Sequence, residues 1–436
     1  MKILCVNWQA ADDAELERQH YPDVEFILAR STADVAAVLD PEVAKTVDAV
    51  INHSPTLNVP LPPTAFPNAK IAVRSGVGFD NIDTAGWGAR NIPACNVPDY
   101  GTTEVADHAI ALMLALTRGT YSYPAEIAVD GLEGWHFSKA PLIRRHKNAT
   151  FGVIGLGRIG LAAARRAAAF DMKVVFYDPH LLSGVDLSTG YERVHSLNEL
   201  LARADVVSVH APLSSETRGL LGAEAFAAAK PGLIVINTAR GPIIDVSALE
   251  AAMRKGTVVG AGLDVLPNEP GDLDHPLIKA WRANEPWIKD RLIVTPHAAF
   301  YSPASMIDLR LKSIEVIHAY LTEGRLTNCV NRAPAPPRRL ALCPPAGARA
   351  RPDAGGAYRQ RAERPHRRGG CCGLCRPPPC PGGQCRTAGF VARHDDPAGD
   401  AVAAAGRLRR CRHAVHSGRR GAARGRMCTG RRAGEP

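Results

Sequence analysis

Three polar side chains, each after an apolar run, have the chemistry needed to bind an acid and move a proton. Arg240 stands just beyond the run at 233–237, Glu269 lies in the loop AGLDVLPNEP, and His297 follows the run at 291–295. An imidazole titrates near neutral pH, and a neighbouring carboxylate would favour its charged form and fix its orientation. A guanidinium can bind a carboxylate through two parallel hydrogen bonds. Each residue alone is more often structural, but the three together after a nucleotide-binding pattern indicate a catalytic set.

The nucleotide-binding pattern runs from residue 151 to residue 178 and contains three glycines at GxGxxG spacing. Gly155 permits the tight turn after a strand, Gly157 lets a pyrophosphate approach the backbone, and Gly160 lets the next helix pack close to the strand. The free N–H groups and positive dipole end of that helix attract phosphate. Asp178, 18 residues after the last glycine, would accept hydrogen bonds from ribose hydroxyls and repel a 2′-phosphate. The complete unit predicts NAD rather than NADP, and it disfavours the alternative of a βαβ turn without a nucleotide.

Apolar periodicity indicates the elements that must position these residues. Strands are predicted at 2–6, 24–28, 49–52, 70–73, 151–154, 173–177, 205–210, 233–237, 258–264 and 291–295, and helices at 12–20, 33–39, 103–117 and 302–322. A hundred residues of alternating strand and helix signals precede the glycine turn, so a separate α/β unit comes first. We therefore expect an α/β fold of two Rossmann-like or flavodoxin-like parallel-sheet domains with a cleft between them. The predicted parts are a substrate-binding domain at 1–102, an NAD-binding Rossmann domain at 103–296, a segment at 297–331 that returns to the substrate domain, and a tail at 332–436.

Charge and cysteine usage separate the tail from the rest of the chain. The 436-residue chain has a formal net charge of +10. Residues 333–436 hold 22 Arg, 6 acidic residues and no Lys, a net of +16, so the residues before them sum to −6. Eight of the 11 cysteines lie after residue 332, and Cys5, Cys95 and Cys329 are too few and scattered for a disulfide framework. This pattern predicts a reducing, cytoplasmic setting. The chain shows neither a signal peptide nor the run of about 20 apolar residues that would span a membrane.

Six motifs, in this order, resemble the D-isomer-specific 2-hydroxyacid dehydrogenases over residues 1–331. They are RSGVGFDNID, GLGRIG, HAPLSSETRGLL, KPGLIVINTARGPIID, AGLDVLPNEP and TPHAAF. The resemblance implies an NAD-dependent reaction in which hydride adds to C2 of a 2-keto acid. It also implies that Arg240, Glu269 and His297 form the catalytic set. His297 would protonate the carbonyl oxygen and, in the reverse direction, take the hydroxyl proton.

The resemblance further implies contacts to the cofactor and the substrate. Asp264 would hold the nicotinamide carboxamide, although Asp264 and Thr217 could instead merely cap helices. The backbone amides of Ser75, Gly76 and Val77 would bind the substrate carboxylate, which Arg240 would also hold. The implied cofactor contacts are Val77, Thr103, Gly155, Leu156, Gly157, Arg158, Ile159, Gly160, Asp178, Ala211, Pro212, Thr217, Thr238, Ala239, Arg240, Asp264 and His297.

The prediction of the substrate depends on His53 and Phe300. Phosphoglycerate dehydrogenases usually carry an Arg-Ser pair after the strand that ends near residue 52, whereas this chain reads NHSPTL there. This difference weakens the alternative of a D-3-phosphoglycerate dehydrogenase. The HSPTL piece, the RSGVGFDNID loop and Phe300 look closer to the C-terminal-binding-protein branch, whose animal members act as transcriptional corepressors. With His53 and Phe300 lining the pocket, we expect a 2-keto acid with an apolar or aromatic side chain.

The tail has no sustained helix or strand period and is dominated by Arg, Pro, Gly, Ala and Cys. Its one CxxC, at Cys372 and Cys375, has no second pair at ligand spacing, so no metal site is predicted. Arg-rich segments can bind nucleic acid, but no aromatic-interleaved or folded module supports that role here. The alternatives are a disordered extension and a shifted reading frame in GC-rich coding DNA. A coherent alternative frame near codon 332 of the gene would decide between them.

Two classes of function fit these patterns. The first is a working dehydrogenase that takes NAD and a small 2-hydroxy or 2-keto acid, and that forms a homodimer through the nucleotide domain with the apolar helix at 103–117 in the contact. The second is an NAD(H)-sensing, corepressor-like interaction protein whose tail recruits partners. The intact set of Arg240, Glu269 and His297 favours the first.

Overall fold

Two parallel β-sheets organise the chain, as the sequence predicts. The computed structural model describes residues 1–8, 10–53, 61–269 and 272–331. The first sheet consists of β1 (Lys2–Val6), β2 (Glu25–Ala29), β3 (Ala49–Asn52), β4 (Ile71–Arg74) and β5 (Ala94–Asn96), in the spatial order β2-β1-β3-β4-β5. The second consists of β6 (Thr150–Ile154), β7 (Lys173–Tyr177), β8 (Glu192–Arg193), β9 (Val206–Val209), β10 (Leu233–Asn237), β11 (Val258–Leu263) and β12 (Leu292–Val294), in the order β12-β11-β10-β9-β6-β7-β8.

Helices connect the strands and cover both sheets. The first part of the chain contains α1 (Glu15–His20), α2 (Thr32–Val38), α3 (Pro41–Ala44), α4 (Thr84–Ala89), α5 (Thr102–Thr117) and α6 (Ser122–Asp130). The remainder contains α7 (Arg158–Ala168), α8 (Val185–Thr189), α9 (Leu197–Arg203), α10 (Ala223–Ala227), α11 (Val246–Lys255), α12 (Pro276–Arg282) and α13 (Pro303–Glu323). Within the described ranges, no helix is both long enough and apolar enough to cross a bilayer.

The order of the strands determines where ligands can enter. Counted from β6, the second sheet runs 3-2-1-4-5-6-7, which contains the Rossmann order, and the first sheet has the flavodoxin-like order 2-1-3-4-5. In such sheets ligands bind beyond the carboxyl ends of the strands, where the order reverses. The reversal falls between β6 and β9 in the second sheet and between β1 and β3 in the first. These two crevices are therefore the places to look for a nucleotide and for a second ligand.

Helix α5 corrects one prediction from the sequence. Most of its apolar residues are buried, while Leu114 and Ala115 are half-buried and Ala111 is exposed. The buried ones are Val105, Ala106, Ala109, Ile110, Leu112, Met113 and Leu116. Several of these side chains share a core with the second sheet and α7. Most of the apolar face of α5 therefore stabilises the chain's own interior, which leaves little of it for a contact between two copies.

Helix α13 packs against the first sheet, although it follows the second sheet in the sequence. Leu309 and Ile317 of α13 are buried in the same core as strands β1, β3 and β4. Arg310 binds the carboxylates of Asp12, at 2.9 Å, and of Glu17, at 2.7 Å. Glu17 is fully buried, so this ion pair neutralises a charge that would otherwise be costly inside the fold. The last helix thus completes the first lobe.

Candidate active site

His297 and Glu269 meet beyond the carboxyl end of the second sheet. The His297 Nδ1 lies 2.6 Å from Glu269 Oε2, and the other carboxylate oxygen accepts the Leu266 N–H at 2.9 Å. The side chains are 33% and 31% exposed, so a ligand can reach the pair. Because Nδ1 is occupied by Glu269, Nε2 is the ring nitrogen left to face a substrate. The pair that the sequence predicted is therefore close enough to act as one unit.

A buried carboxylate, Asp264, holds the backbone on both sides of His297. Its Oδ1 accepts the Thr295 hydroxyl at 2.6 Å and the Ala298 N–H at 2.9 Å, and its Oδ2 accepts the Ala299 N–H at 2.9 Å. Its carbonyl oxygen accepts the His297 N–H at 2.8 Å. Its contact with the nicotinamide carboxamide stays a prediction, because this side chain is only 1% exposed and already accepts three hydrogen bonds. His297 itself has a left-handed backbone, with φ of 52°, a conformation that such surrounding bonds must maintain.

Arg240 reaches from the second sheet to the first. Its Nε donates to Asp80 Oδ1 at 3.0 Å and its Nη1 to the Ala239 carbonyl at 2.8 Å. Burial acts to raise the pKa of Asp80, but the Arg240 guanidinium outweighs burial and holds that pKa below its ordinary value. A Cβ on Gly78 would lie 1.3 Å from Arg240 Nη2, so only glycine leaves room for the guanidinium. Among the described residues, Nη2 has no hydrogen-bond partner.

A second guanidinium, that of Arg74 at the end of β4, was given no role by the sequence analysis. It is buried, and its Nη1 donates to the Ser75 carbonyl at 2.6 Å. Burial, and then the nearby Arg240, lower the pKa of Arg74 to about 10, so the side chain stays charged at neutral pH. Within the part of the chain that the structure describes, no carboxylate lies within ion-pair distance of it. A buried charge of this kind favours a ligand of opposite sign.

The loop at 75–78 differs in one respect from the prediction. The Ser75 N–H donates to the Asn52 carbonyl at 2.9 Å, in continuation of the sheet, and so cannot bind a substrate carboxylate. The N–H groups of Gly76 and Val77 find no acceptor among the described residues. Asn96 Nδ2 donates to the Val77 carbonyl at 2.6 Å and fixes the loop from behind. Of the three backbone N–H groups predicted to bind the substrate carboxylate, those of Gly76 and Val77 are therefore left.

His53 and Phe300 lie in two groups of aromatic rings. The His53 ring meets Trp8 edge-on at 5.2 Å, and Phe300 meets both His297 and Tyr100 at 6.1 Å. Burial, with the guanidinium groups of Arg74 and Arg310, lowers the pKa of His53 to about 3, so its ring is neutral. The His53 Nε2 is buried without a partner among the described residues. The remainder of the HSPTL piece, from residue 54, lies outside the described residues.

The glycine-rich turn has the geometry that the sequence predicts. Gly155 has φ of +86°, and a Cβ on Gly160 would lie 2.0 Å from the Gly155 carbonyl oxygen, so the helix does pack closely on the strand. Nothing lies within 4 Å of a Cβ placed on Gly157, which leaves this face open to a phosphate. Asp178 accepts the Leu156 N–H at 3.0 Å and the His180 N–H at 3.0 Å. Asp178 thus holds the turn, and its contact with a ribose stays a prediction.

The other predicted cofactor contacts fall into two groups. At the same carboxyl edge as the turn lie the half-buried Ala239, the buried Ala211 and the buried Thr238, whose Oγ1 has no partner among the described residues. Thr217 instead closes a local turn, since its hydroxyl donates to the Pro212 carbonyl at 2.6 Å. At the start of α7, Arg158 is exposed and Ile159 is half-buried. At the start of α5, Thr103 is exposed, and its hydroxyl donates a hydrogen bond to the Glu104 carboxylate.

The site therefore fits a dinucleotide on one side and a small acid on the other. A pyrophosphate and its attached riboses would fit at the glycine-rich turn, where Gly157 is open and Gly160 packs closely on the strand. The Thr238 hydroxyl, which has no partner among the described residues, lies at the same edge. All strands of the second sheet are parallel, so these residues and the His297–Glu269 pair share one edge. This combination of fold and site is typical of oxidoreductases that use a nicotinamide dinucleotide.

Comparison with known proteins gives the family. The sequence model of the D-isomer-specific 2-hydroxyacid dehydrogenase NAD-binding domain matches residues 110–299. The D-3-phosphoglycerate dehydrogenase of Mycobacterium bovis is 36% identical over 292 residues, which are 67% of this chain and 48% of that protein. The chain thus spans about half the length of the curated relatives that it matches. This chain belongs to the D-isomer-specific 2-hydroxyacid dehydrogenase family, which confirms the resemblance and the choice of NAD as cofactor.

Solved structures agree with this family. A glyoxylate reductase from Paecilomyes thermophila has a TM-score of 0.66 and 27% identity, covering 76% of this chain and 98% of that one. The D-lactate dehydrogenase of Aquifex aeolicus, complexed with NAD and lactic acid, has a TM-score of 0.62 and 27% identity, covering 76% and 100%. Since these relatives differ in substrate, the predicted likeness to the C-terminal-binding-protein branch stays a prediction.

Proposed function

We propose that this chain is an NAD-dependent D-2-hydroxyacid dehydrogenase that interconverts a 2-keto acid and its D-2-hydroxy acid. The observation that carries this proposal is the 2.6 Å contact between His297 Nδ1 and Glu269 Oε2. It provides an oriented acid–base group at the same sheet edge as the glycine-rich turn. NADH, when bound, supplies the hydride that adds to C2.

His297 moves the proton in this proposal. In the reducing direction the imidazolium donates its Nε2 proton to the carbonyl oxygen as negative charge grows there. The Nδ1–H stays bonded to Glu269, which keeps Nε2 directed at the substrate. In the oxidising direction, the neutral ring accepts the hydroxyl proton at Nε2.

Arg240 and the loop at 76–77 bind the substrate carboxylate. Three donors have no acceptor in the described part of the chain: Arg240 Nη2 and the backbone N–H groups of Gly76 and Val77. The surrounding hydrogen bonds hold them in place before a ligand binds. Donors that are fixed in advance stabilise charge without reorganisation during the reaction. Asp80 anchors the guanidinium at Nε, which leaves its outer edge for the ligand.

For the substrate side chain we propose an apolar or aromatic group. The edge contacts of His53 with Trp8 and of Phe300 with Tyr100 supply aromatic surface, and the neutral His53 adds no charge. A second candidate is D-3-phosphoglycerate. Two observations favour it: the 36% identity to the mycobacterial enzyme of that name, and the buried Arg74 guanidinium, which has no carboxylate partner among the described residues.

A panel of keto acids tests both candidates. NADH oxidation should be measured with phenylpyruvate, hydroxypyruvate, glyoxylate and 3-phosphohydroxypyruvate, in the wild type and in His297→Ala. We expect the highest kcat/KM with phenylpyruvate and its loss in the variant. A strong preference for the phosphorylated acid would support the second candidate. No turnover in either protein would instead favour the corepressor-like interaction protein.

Asp178 should govern the choice of coenzyme. In Asp178→Asn the side-chain oxygen can still accept the Leu156 N–H, but the charge that repels a 2′-phosphate is gone. We expect the ratio of kcat/KM with NADH to that with NADPH to fall by about tenfold, equivalent to 1.4 kcal/mol. Asp186→Asn on α8 removes the same charge away from the turn and should leave the ratio unchanged. An unaltered ratio in Asp178→Asn would contradict this role.

The proposed homodimer needs an apolar surface other than α5. Between residues 129 and 137, four large apolar side chains are strongly exposed: Val129 at 81%, Leu132 at 91%, Trp135 at 71% and Phe137 at 81%. Aromatic anchors in an interface contribute roughly 2 kcal/mol or more each. Replacing Trp135 and Phe137 together by Ser should therefore shift the mass seen by light scattering toward the monomer. Leu182→Ser, at a side chain 83% exposed elsewhere, should not.

We also propose the boundaries 1–102, 103–296 and 297–331 for the substrate-binding domain, the NAD-binding domain and the returning segment. The burial of α5 in the second core and of α13 in the first supports this division. The tail at 332–436, with Cys372 and Cys375, lies outside the described residues. A cytoplasmic location is consistent with this scheme.

A further inference from the structure

Helix α5 contributes one side chain to the bonds around Asp264. His108 Nε2 lies 3.0 Å from Thr295 Oγ1 and 3.6 Å from Asp264 Oδ1. The Thr295 hydroxyl donates to Asp264, so its oxygen is left to accept the N–H of His108. Hydrogen bonds therefore run in one direction, from His108 through Thr295 to Asp264.

Asp264 depends on these donors because its side chain is only 1% exposed. A buried carboxylate is costly unless its charge is paired and its oxygens are bonded. In the described ranges, His108 is the only basic side chain within ion-pair distance of Asp264. Helix α5 thus supplies one of the groups that surround this carboxylate, from a position 187 residues before Thr295.

We infer that His108 is a positioning residue for the loop that carries His297. It touches none of the reacting atoms; it holds Thr295 and Asp264, and Asp264 in turn holds the backbone of residues 297–299. This inference rests on the proposed role of His297. Its consequence is that the orientation of the acid–base group depends on a side chain of α5, a helix that packs in the core of the second sheet.

The test compares two replacements of His108. His108→Leu removes the donor, and we expect kcat to fall roughly tenfold, the upper end for the loss of one hydrogen bond, with an unchanged Kd for NADH. His108→Gln places an N–H near the former Nε2 and should restore most of kcat. Asp107→Asn, at the next residue of α5, where Asp107 pairs with Arg166, is the matched control and should behave as the wild type.

The route through Thr295 gives a second measurement. Thr295→Val breaks the same line of bonds, so adding His108→Leu to it should lower kcat little further. Wild-type kcat in His108→Leu, with His297→Asn inactive, would overturn the inference and leave the proposed function standing. Equal losses in the Leu and Gln variants, or a raised Kd for NADH without a change in kcat, would also overturn it.

An independent feature lies where residues 328–330 pair with β5. Cys95 and Cys329 face each other in an isolated antiparallel bridge. The residues on either side of them exchange backbone hydrogen bonds at 3.1 and 2.8 Å. The cysteines are therefore a non-hydrogen-bonded pair, for which Cα atoms lie about 4.5 Å apart. That separation is within the roughly 4.4–6.8 Å that a disulfide spans.

The packing shows that both thiols point to the same side of the sheet. Cys95 is buried in the core beneath α13, and Cys329 packs against that core. Their neighbours Ala94 and Val330 belong to the core on the opposite face. Alternation along both segments thus brings the two sulfur-bearing side chains together.

We propose that Cys95 and Cys329 form a disulfide when a small-molecule disulfide such as oxidised glutathione is present. The half-buried Cys329 attacks as thiolate, forms a mixed disulfide and releases one glutathione thiol. Cys95, as thiolate, then displaces the second glutathione. The two cysteines are oxidised, and one glutathione disulfide is reduced to two thiols.

Peptide mapping of the full chain tests this. After exposure to oxidised glutathione, alkylation and trypsin digestion without reductant, the peptides 91–118 and 326–332, with one cysteine each, should be found linked. The link should vanish in Cys329→Ser, and the oxidised wild type should unfold at a higher temperature than that variant. Absence of the link, or equal linkage of Cys329 to cysteines after residue 332, would overturn the proposal.

Discussion

His297→Asn should lower kcat by roughly 10²- to 10⁴-fold, the usual contribution of a positioned acid or base. The asparagine is close in size but has no group that titrates, so the carbonyl oxygen would lose its proton donor. The glycine-rich turn is untouched, and the Kd for NADH, measured by fluorescence titration, should stay within about twofold. Steady-state kinetics with the best keto acid of the panel provides the measurement.

Glu269→Gln is the informative partner of this variant. Its side-chain oxygen can still accept the Nδ1–H that Glu269 now accepts at 2.6 Å, but the negative charge is lost. The ring would then lose its charged partner, so we expect kcat in the reducing direction to fall by roughly tenfold, as for the loss of one hydrogen bond to a charged group, with an unchanged Kd for NADH. A His297→Asn variant that retains most of its kcat would contradict the proposed mechanism.

Gly78→Ala should lower kcat/KM by roughly 10- to 100-fold, although the change adds one methyl group. The new Cβ would fall 1.3 Å from Arg240 Nη2 and 2.3 Å from its Cζ, so the guanidinium must move. It is the far end of a flexible side chain, so the fold should survive. The site would then lose one or two hydrogen bonds to a charged group, at about 1.5–3 kcal/mol each.

Gly88→Ala is the matched control for this substitution. Gly88 lies on α4 in the same lobe, and the nearest atom to its new Cβ is Asn331 Nδ2 at 3.7 Å, an ordinary contact. Both variants should have thermal midpoints close to the wild type, and only Gly78→Ala should lose activity. Unchanged kcat/KM in Gly78→Ala would show that the position of Arg240 is not required.

The sequence predicted those parts of the site whose geometry depends on residues that are close together in the chain. The spacing of Gly155, Gly157 and Gly160 determines one turn, and the geometry of that turn follows from neighbours in the chain. The strands were found because each is an apolar run between polar loops. His297 and Glu269 could be paired because parallel strands deliver their ends to one edge.

The residues that were missed depend on contacts between distant parts of the chain. His108 acts through Thr295. The sequence of an apolar helix does not indicate which of its polar residues faces the end of a strand. Arg74 was visible within RSGVGFDNID, but its burial without a carboxylate could not be read from the motif. The Ser75 N–H was wrongly included because the sheet continues one residue beyond β4, so this group bonds Asn52.

The attachment of α13 to the first sheet bears on how the chain folds during synthesis. Glu17 and Asp12 emerge from the ribosome nearly three hundred residues before Arg310, their basic partner. Asn331 likewise donates to the Ile92 carbonyl at the edge strand, 239 residues earlier. The amino-terminal lobe therefore cannot complete its fold until the whole nucleotide domain has been translated. Until then Glu17 lacks its basic partner and the edge of the first sheet is uncovered. Closing so long a loop is slow, and the exposed edge in the meantime is where we expect chaperones to bind the nascent chain.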